Sequence, residues 1–209
     1  MRYSIVSGTR TPPTPNSRGY CPGCGAEVIS KCGRHLVWHW AHVSKQHCDQ
    51  WWESETEWHR KWKDQFPVEW QEVPGRDSVT GEIHIADVRS PSGLVIEFQH
   101  SPIHPDEVAA REAFHRRIVW IVDGCRNELD KNYFGLSLGG RISQNPAQRG
   151  LRWHGKSKLF HNWASAGGVV YIDFGTDIVW KLLNFDVSQK SGEVEWVERS
   201  KLILALTEA

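Results

Sequence analysis

Between Gly81 and Ser101 the chain reads GEIHIADVRSPSGLVIEFQHS, which sets Asp87, Glu97 and Gln99 into two otherwise apolar runs. The runs IHIADV and LVIEF flank a Ser-Pro-Ser-Gly turn, a pattern that predicts a β-hairpin. Strand side chains alternate between faces, so Glu97 and Gln99 share one. A carboxylate in so hydrophobic a strand is costly to bury unless paired, and a divalent cation is an obvious partner. Asp87 and Glu97 could together hold such an ion, Mg²⁺ or Mn²⁺. Gln99 can neither take a proton nor offer a positive charge, but its amide can orient an attacking water or a phosphate oxygen. His84 lies on the face opposite Asp87, and His100 on the face opposite Glu97 and Gln99. Packed, hydrogen-bonded roles are therefore the expectation for both histidines.

A second set of chemistry-bearing residues lies upstream, in CPGCGAEVISKCGRHLVWHWAHVSKQHCDQW. Cys21 and Cys24 form a tight knuckle in which both thiolates can face one ion. A hairpin of AEVISK and HLVWHW follows, then His42 and Cys48. Two cysteines from the knuckle with one histidine and one cysteine from beyond the hairpin complete a tetrahedral Zn²⁺ site. His42 is preferred to His39 because it leaves the strand and lies six residues before Cys48, while Cys32 in the hairpin turn is the weaker thiol candidate. Four protein ligands leave no position open for water, so the expected role is structural. Unrelated buried thiols and core histidines are the bland alternative.

Between these sets the run WWESETEWHRKWKDQF predicts a helix with Ser54 and Glu57 as a capping box. Trp51, Trp58, Trp62 and Phe66 would form its apolar stripe. Glu55 projects into that stripe, with His59 and Lys63 continuing from it. One reading is an exposed ladder worth a few tenths of a kcal/mol, about 0.2–0.5 per pair. The other aims Glu55 at a site, with His59 beside it among the catalytic candidates.

Around these residues PVEWQEV reads as a strand, HPDEVAAREAFHRR as a helix and IVWIVDG as a buried strand. The predicted order is thus helix, three strands, helix, strand, with carboxylates on the first helix and on the hairpin. That αβββαβ succession with D-x9-E-x-Q resembles the PD-(D/E)XK nuclease core, Gln99 standing where Lys is usual. Further, CPGCG, HWAH, CDQWWESETEWHRKWK, HIADV, VIEFQHS and IVWIVDG resemble the competence protein CoiA-like family, in order, over Cys21 to Gly124. The resemblance implies a zinc-finger-like N-terminal unit followed by a PD-(D/E)XK nuclease domain, and a link to processing of DNA. Gln99 departs from the general nuclease pattern and is in keeping with this family.

The 209 residues carry 25 basic and 25 acidic side chains, a balance that gives no global pull toward nucleic acid and leaves room for a local basic groove. Five cysteines, an odd number with a close pair, suit a reducing compartment and a metal better than a disulfide frame. With no leader and no apolar run long enough for a bilayer, a cytoplasmic protein without a membrane partner is expected. Beyond Arg126 the chain turns polar, Gly-rich and locally basic. A solvated surface is the preferred reading there, with a nucleic-acid track that uses Trp153 or Tyr133 for stacking as the alternative. VVYIDFG, DIVWKLLNF and EVEWVE then predict a three-stranded meander, and SKLILAL a closing helix.

The fold class expected is α/β (α+β): a PD-(D/E)XK restriction-endonuclease-like core (51–126) between an N-terminal zinc-binding unit (1–50) and a C-terminal β-rich extension (127–209). Its candidate catalytic residues are Glu55, His59, Asp87, Glu97 and Gln99. Cys21, Cys24, His42 and Cys48 are the zinc ligands; Mg²⁺ or Mn²⁺ is the catalytic ion and DNA the partner. A homo-oligomer would serve cutting of both strands. The competing expectation is a non-catalytic nucleic-acid-binding or adaptor protein on a nuclease-like core.

Overall fold

The protein is described from a computed structural model covering residues 1–44 and 48–209. It is a mixed α/β chain that divides into two compact units, Met1–Pro91 and Ser92–Ala209. The boundary falls in the Ser-Pro-Ser-Gly turn.

The first unit opens with five short strands, β1 (Ser4–Val6), β2 (Thr9–Thr11), β3 (Arg18–Tyr20), β4 (Glu27–Lys31) and β5 (His39–His42). They form an antiparallel sheet in the order β2-β1-β3-β4-β5. The β4–β5 pair is the hairpin expected after the knuckle, with its second arm at His39–His42 and not over HLVWHW because residues 32–38 form the connecting loop. Met1, Cys21, Val28 and Trp40 make a small core beneath this sheet, with Val6, Cys24, Cys48 and Ile85 packed on it.

Helix α1 (Glu57–Lys63) follows, shorter than its sequence pattern suggests. Its capping box is Thr56 with His59, not Ser54 with Glu57: the Thr56 hydroxyl accepts from the His59 backbone, and the His59 ring accepts from the Thr56 backbone N–H. An imidazole nitrogen at the third helical position thus replaces the usual carboxylate. Trp62 and Phe66 are buried as expected, whereas Trp51 lies ahead of the helix and Trp58 is half-buried. The segment expected as the strand PVEWQEV begins instead with a single 3-10 turn, Val68–Trp70, which leaves Val68 exposed. Strand β6 (Gln71–Arg76) then pairs antiparallel with β7 (Ile83–Arg89). Burial along β7 alternates residue by residue, with His84, Ala86 and Val88 covered, so the period-two pattern of IHIADVR is realised.

The second unit begins with β8 (Val95–Gln99), buried throughout, and helix α2 (Pro105–His115). Pro105 occupies the first helical turn, and the His104 ring caps it by accepting from the Asp106 N–H. Strand β9 (Ile118–Asp123), also fully buried, runs parallel to β8. Continuous apolar runs are what a parallel pair covered on both faces requires. The order α1, β6, β7, β8, α2, β9 is therefore the predicted αβββαβ succession.

The stretch after Arg126, expected as a solvated loop, contains helix α3 (Asp130–Ser137) and strands β10 (Leu138–Arg141) and β11 (Gln148–Arg152). Only Asp130, Phe134 and Ser137 of α3 are buried, and two of the three are polar, so no apolar period announced it. Strands β12 (Val169–Asp173), β13 (Ile178–Asp186) and β14 (Ser191–Glu198) form the expected meander, closed by α4 (Arg199–Glu208). Because β12 pairs parallel with β9, the meander extends the sheet of this unit, in the order β10-β11-β14-β13-β12-β9-β8. Trp153, Phe160 and Phe134 fill its core, the last stacked on Phe174 at 4.2 Å between centroids. Trp153 is 2 % exposed and its Nε1 donates to the Ser157 carbonyl, which removes it as a stacking surface for nucleic acid. Among the described residues no helix is long and apolar enough to cross a membrane.

Candidate metal centre and carboxylate cluster

The CPGCG knuckle turns tightly because the Gly25 N–H bonds the Cys21 carbonyl (2.9 Å) and the Cys21 N–H bonds the Ala26 carbonyl (2.8 Å). Gly25 has φ +74°, a conformation that glycine adopts without a Cβ clash. The turn brings the Cys21 and Cys24 thiols together, β5 delivers His42, and Cys48 approaches from the segment beyond. The four donor atoms lie within 4.8 Å of one another. Cys24 Sγ is 3.3 Å from His42 Nε2, and Cys21 Sγ is 3.7 Å from Cys48 Sγ. A tetrahedron with Zn–S bonds of about 2.3 Å has edges near 3.8 Å, so the spacing fits Zn²⁺. Three soft thiolates with one imidazole are also the donor set zinc prefers. The hydrogen bond from Cys48 lowers the Cys21 thiol to about 5, and the same contact pushes Cys48 up.

His42 is thus the histidine of the cluster, as its spacing suggested. His39 bonds the Val37 carbonyl through Nδ1 at 2.9 Å, and neither it nor Cys32 belongs to the group. Cys48 is fastened from behind by Asp49. That carboxylate takes the Ile85 N–H at 2.7 Å, the Trp51 N–H at 2.9 Å and the His84 Nδ1 at 2.8 Å. His84, buried and stacked on Trp51 at 3.2 Å between centroids, has the packed role expected of it. The metal cluster and strand β7 are in this way tied together through a single carboxylate.

The same strand carries Asp87, which meets a buried lysine of α1. Lys63, at the last position of α1, is 4 % exposed. Its Nζ lies 2.9 Å from Asp87, 3.3 Å from Glu55 and 3.3 Å from Glu72. An ammonium has three N–H donors, and this one faces three carboxylates. Burial opposes its charge, but Asp87, Glu72 and Glu55 outweigh burial and hold its pKa well above the ordinary lysine value. The exposed ladder Glu55–His59–Lys63 does not form: Glu55 pairs with Arg60 (3.1 Å) and Lys63, both contacts shielded from solvent.

Glu72, not singled out by the sequence, anchors Lys63 from the opposite side. Its φ is +47°, an uncommon conformation for a side chain other than glycine. It accepts from the Arg2 N–H at 2.8 and 2.7 Å and from the Tyr3 N–H at 3.1 Å. Although burial would raise its pKa, Lys63, the N-terminal ammonium and these two N–H donors bring it down to about 2. Glu72 is therefore fully engaged as a structural counter-ion. Glu55 and Asp87 bring two further negative charges toward one ammonium.

His59 stands apart from this cluster. Its ring contacts the Thr56 hydroxyl at 2.9 Å and Glu53 at 3.1 Å, which gives it a capping duty at the start of α1. In the second unit Glu97 is 6 % and Gln99 4 % exposed on β8. Glu97 lies 3.5 Å from Arg111 of α2, whose guanidinium also binds Glu107 at 2.5 Å. The Gln99 amide donates to the Ser101 carbonyl at 2.9 Å. His100 is bound to Asp123 at 2.8 Å. A polar β8 end of this kind was legible in the sequence; Lys63, Glu72 and Asp49 depend on partners far away in the chain and were not.

A Cys3His cluster that could hold zinc, beside a small antiparallel sheet and followed by mixed α/β structure, is the class that these observations define. Residues 15–50 match the family model described as Competence protein CoiA, N-terminal domain, so that segment is similar to this family's N-terminal domain. The matched segment holds all four zinc-ligand candidates and ends before Glu55. The chain matches no curated protein and no solved structure.

Proposed function

We propose that this protein is a metal-dependent deoxyribonuclease of the PD-(D/E)XK type, with zinc as the structural ion of its N-terminal unit. The observation that carries this reading is the Lys63 ammonium 2.9 Å from Asp87. The charge that Gln99 cannot offer is offered to Asp87 by a lysine from α1. Buried and ionised, Lys63 is suited to stabilise negative charge that develops on a phosphate, and a shielded site makes each such contact stronger than it would be in water. Glu72 keeps it charged and aimed. Asp87 and Glu55, in the first unit, supply hard carboxylate oxygens of the kind Mg²⁺ or Mn²⁺ takes. Glu97 and Gln99 belong to the D-x9-E-x-Q resemblance in the sequence, on which this reading also rests. A bound divalent ion would supply an activated water and neutralise the leaving oxygen.

The non-catalytic reading is favoured by the same ion pair, since a lysine on Asp87 can also replace a cation permanently. Cleavage separates the two. Linear, circular and single-stranded DNA are incubated with wild-type protein and Asp87→Asn in Mg²⁺, Mn²⁺ or neither. The expected result is metal-dependent cutting that Asp87→Asn loses. Cutting that survives the substitution, or DNA binding without cutting by either protein, overturns the proposal.

A further inference from the structure

The second unit contains a cavity of about 130 Å³ that takes no part in the chemistry above. It opens beyond the carboxyl ends of the parallel strands β8 and β9, where open α/β sheets place their ligands. Its walls combine three kinds of surface. Ile103, Val122 and Trp163, each at most 5 % exposed, give it an apolar floor. Arg126 and Lys158 stand exposed at its rim. Asp130, 4 % exposed, faces it from the start of α3. The Asp130 Oδ1 is buried and has no hydrogen-bond partner among the described residues. Burial pushes this carboxyl's pKa up, against a hydrogen bond from Ser157 that lowers it, as fits a carboxylate whose hydrogen bonding is incomplete.

Size and polarity restrict the occupant. A cavity of about 150 Å³ takes one benzene ring, and drug-sized ligands need roughly 300 Å³ or more, so one six-membered ring fits here and a purine with its sugar does not. The unpaired acceptor asks that ring for an N–H donor, and the cationic rim asks for a phosphate outside the cavity. Cytosine presents its N4 amino group to a carboxylate in this manner, whereas uracil and thymine present an oxygen at the same place.

We propose that this cavity is a pocket for a single cytosine base, its amino group on Asp130 and its 5′-phosphate on Arg126 and Lys158. The choice of a nucleotide rests on the proposed nuclease reading, and the pocket would then set a sequence preference on single-stranded or opened DNA.

The test uses the zinc-loaded full chain without added magnesium and with dCMP, dUMP or inorganic phosphate as probe. Saturation-transfer NMR on the base protons and ligand-observed titration are the readouts. The wild type is expected to bind dCMP about tenfold more tightly than dUMP, the size of one well-made base contact. Asp130→Asn, whose amide can donate to an oxygen at C4, should reverse that order. Lys158→Ala should weaken both nucleotides equally. Equal affinity for dCMP and dUMP, a preference unmoved by Asp130→Asn, or competition by phosphate with no transfer to the base protons would each overturn the proposal. No binding would mean a water-filled cavity and would overturn it too. Cleavage is not read here, so an inert protein that prefers dCMP and an active nuclease that does not are told apart.

Discussion

The zinc-ligand cluster and the Lys63 cluster lie in the same compact unit and solve opposite electrostatic problems. In the first, three cysteines and a histidine gather four donor atoms that could hold one metal ion. In the second, three carboxylates already surround a cation that belongs to the chain itself. One cluster offers a place to an ion from solution; the other already holds a cation of the chain's own. A structural metal site can depend on its metal for folding, whereas a catalytic site must keep its geometry while substrate and metal come and go. Asp49 joins the two, since it follows Cys48 and binds the backbone of β7 two residues before Asp87.

That contrast can be broken most forcefully at the thiols. Cys24→Ser, or removal of zinc by a chelator, is expected to abolish the cooperative melt of the first unit, because structural zinc contributes on the order of 10 kcal/mol in small domains. Metal content and a calorimetric scan check it, with one zinc per chain expected in the wild type. Next in size is Lys63→Met, which removes the ammonium that Glu55, Glu72 and Asp87 share while leaving Glu55 its pair with Arg60. Breaking a buried pair from one side costs about 3–5 kcal/mol, to be read as a fall in the urea midpoint with zinc content unchanged.

A smaller effect is expected from pH. The Glu72 carboxyl drops from an ordinary 4.5 to about 2 on folding. A depressed folded pKa means that this stabilisation is complete above the unfolded value and is lost as pH falls through the window from 4.5 to about 2. Wild-type stability should decline across that window, and Glu72→Gln, already less stable at neutral pH, should decline less steeply. Denaturation midpoints from pH 6 to pH 2 measure both slopes. Least of all should His39→Ala matter: it leaves zinc stoichiometry intact and shifts stability by about 0.5 kcal/mol or less. Loss of zinc in that variant would exchange the roles of His39 and His42.

The two clusters also differ in how far the sequence revealed them. Cys21, Cys24, His42 and Cys48 lie within 28 residues, and the knuckle spacing with its glycines points to a metal cluster, whose four donors the fold brings together. The Lys63 cluster draws on residues spread from Glu55 to Asp87 and on the backbone of Arg2 and Tyr3, so no local pattern carries it. Asp87 was conspicuous as a charge in an apolar strand. Lys63 resembled an ordinary surface lysine, because helical spacing shows which residues share a face and not which face is buried. The capping box was misassigned for a related reason: Ser54–Glu57 has the expected letters, but the helix begins where the His59 ring can serve the same purpose. Strands β7, β8 and β9 were readable from alternation and apolar continuity. Helix α3 and strands β10 and β11 were not, since β10 is held by pairing with β11, β11 by pairing with β14, and α3 by one buried phenylalanine.

The most direct test of the account is the rate of Mg²⁺-dependent DNA cleavage by wild type and by Lys63→Met, each shown to retain one zinc. The prediction is a wild type that cuts and a variant that is slower by about a hundredfold or more, the usual loss when one preorganised charge contact is removed. A wild type that does not cut, or a zinc-loaded Lys63→Met that cuts at the wild-type rate, would contradict it.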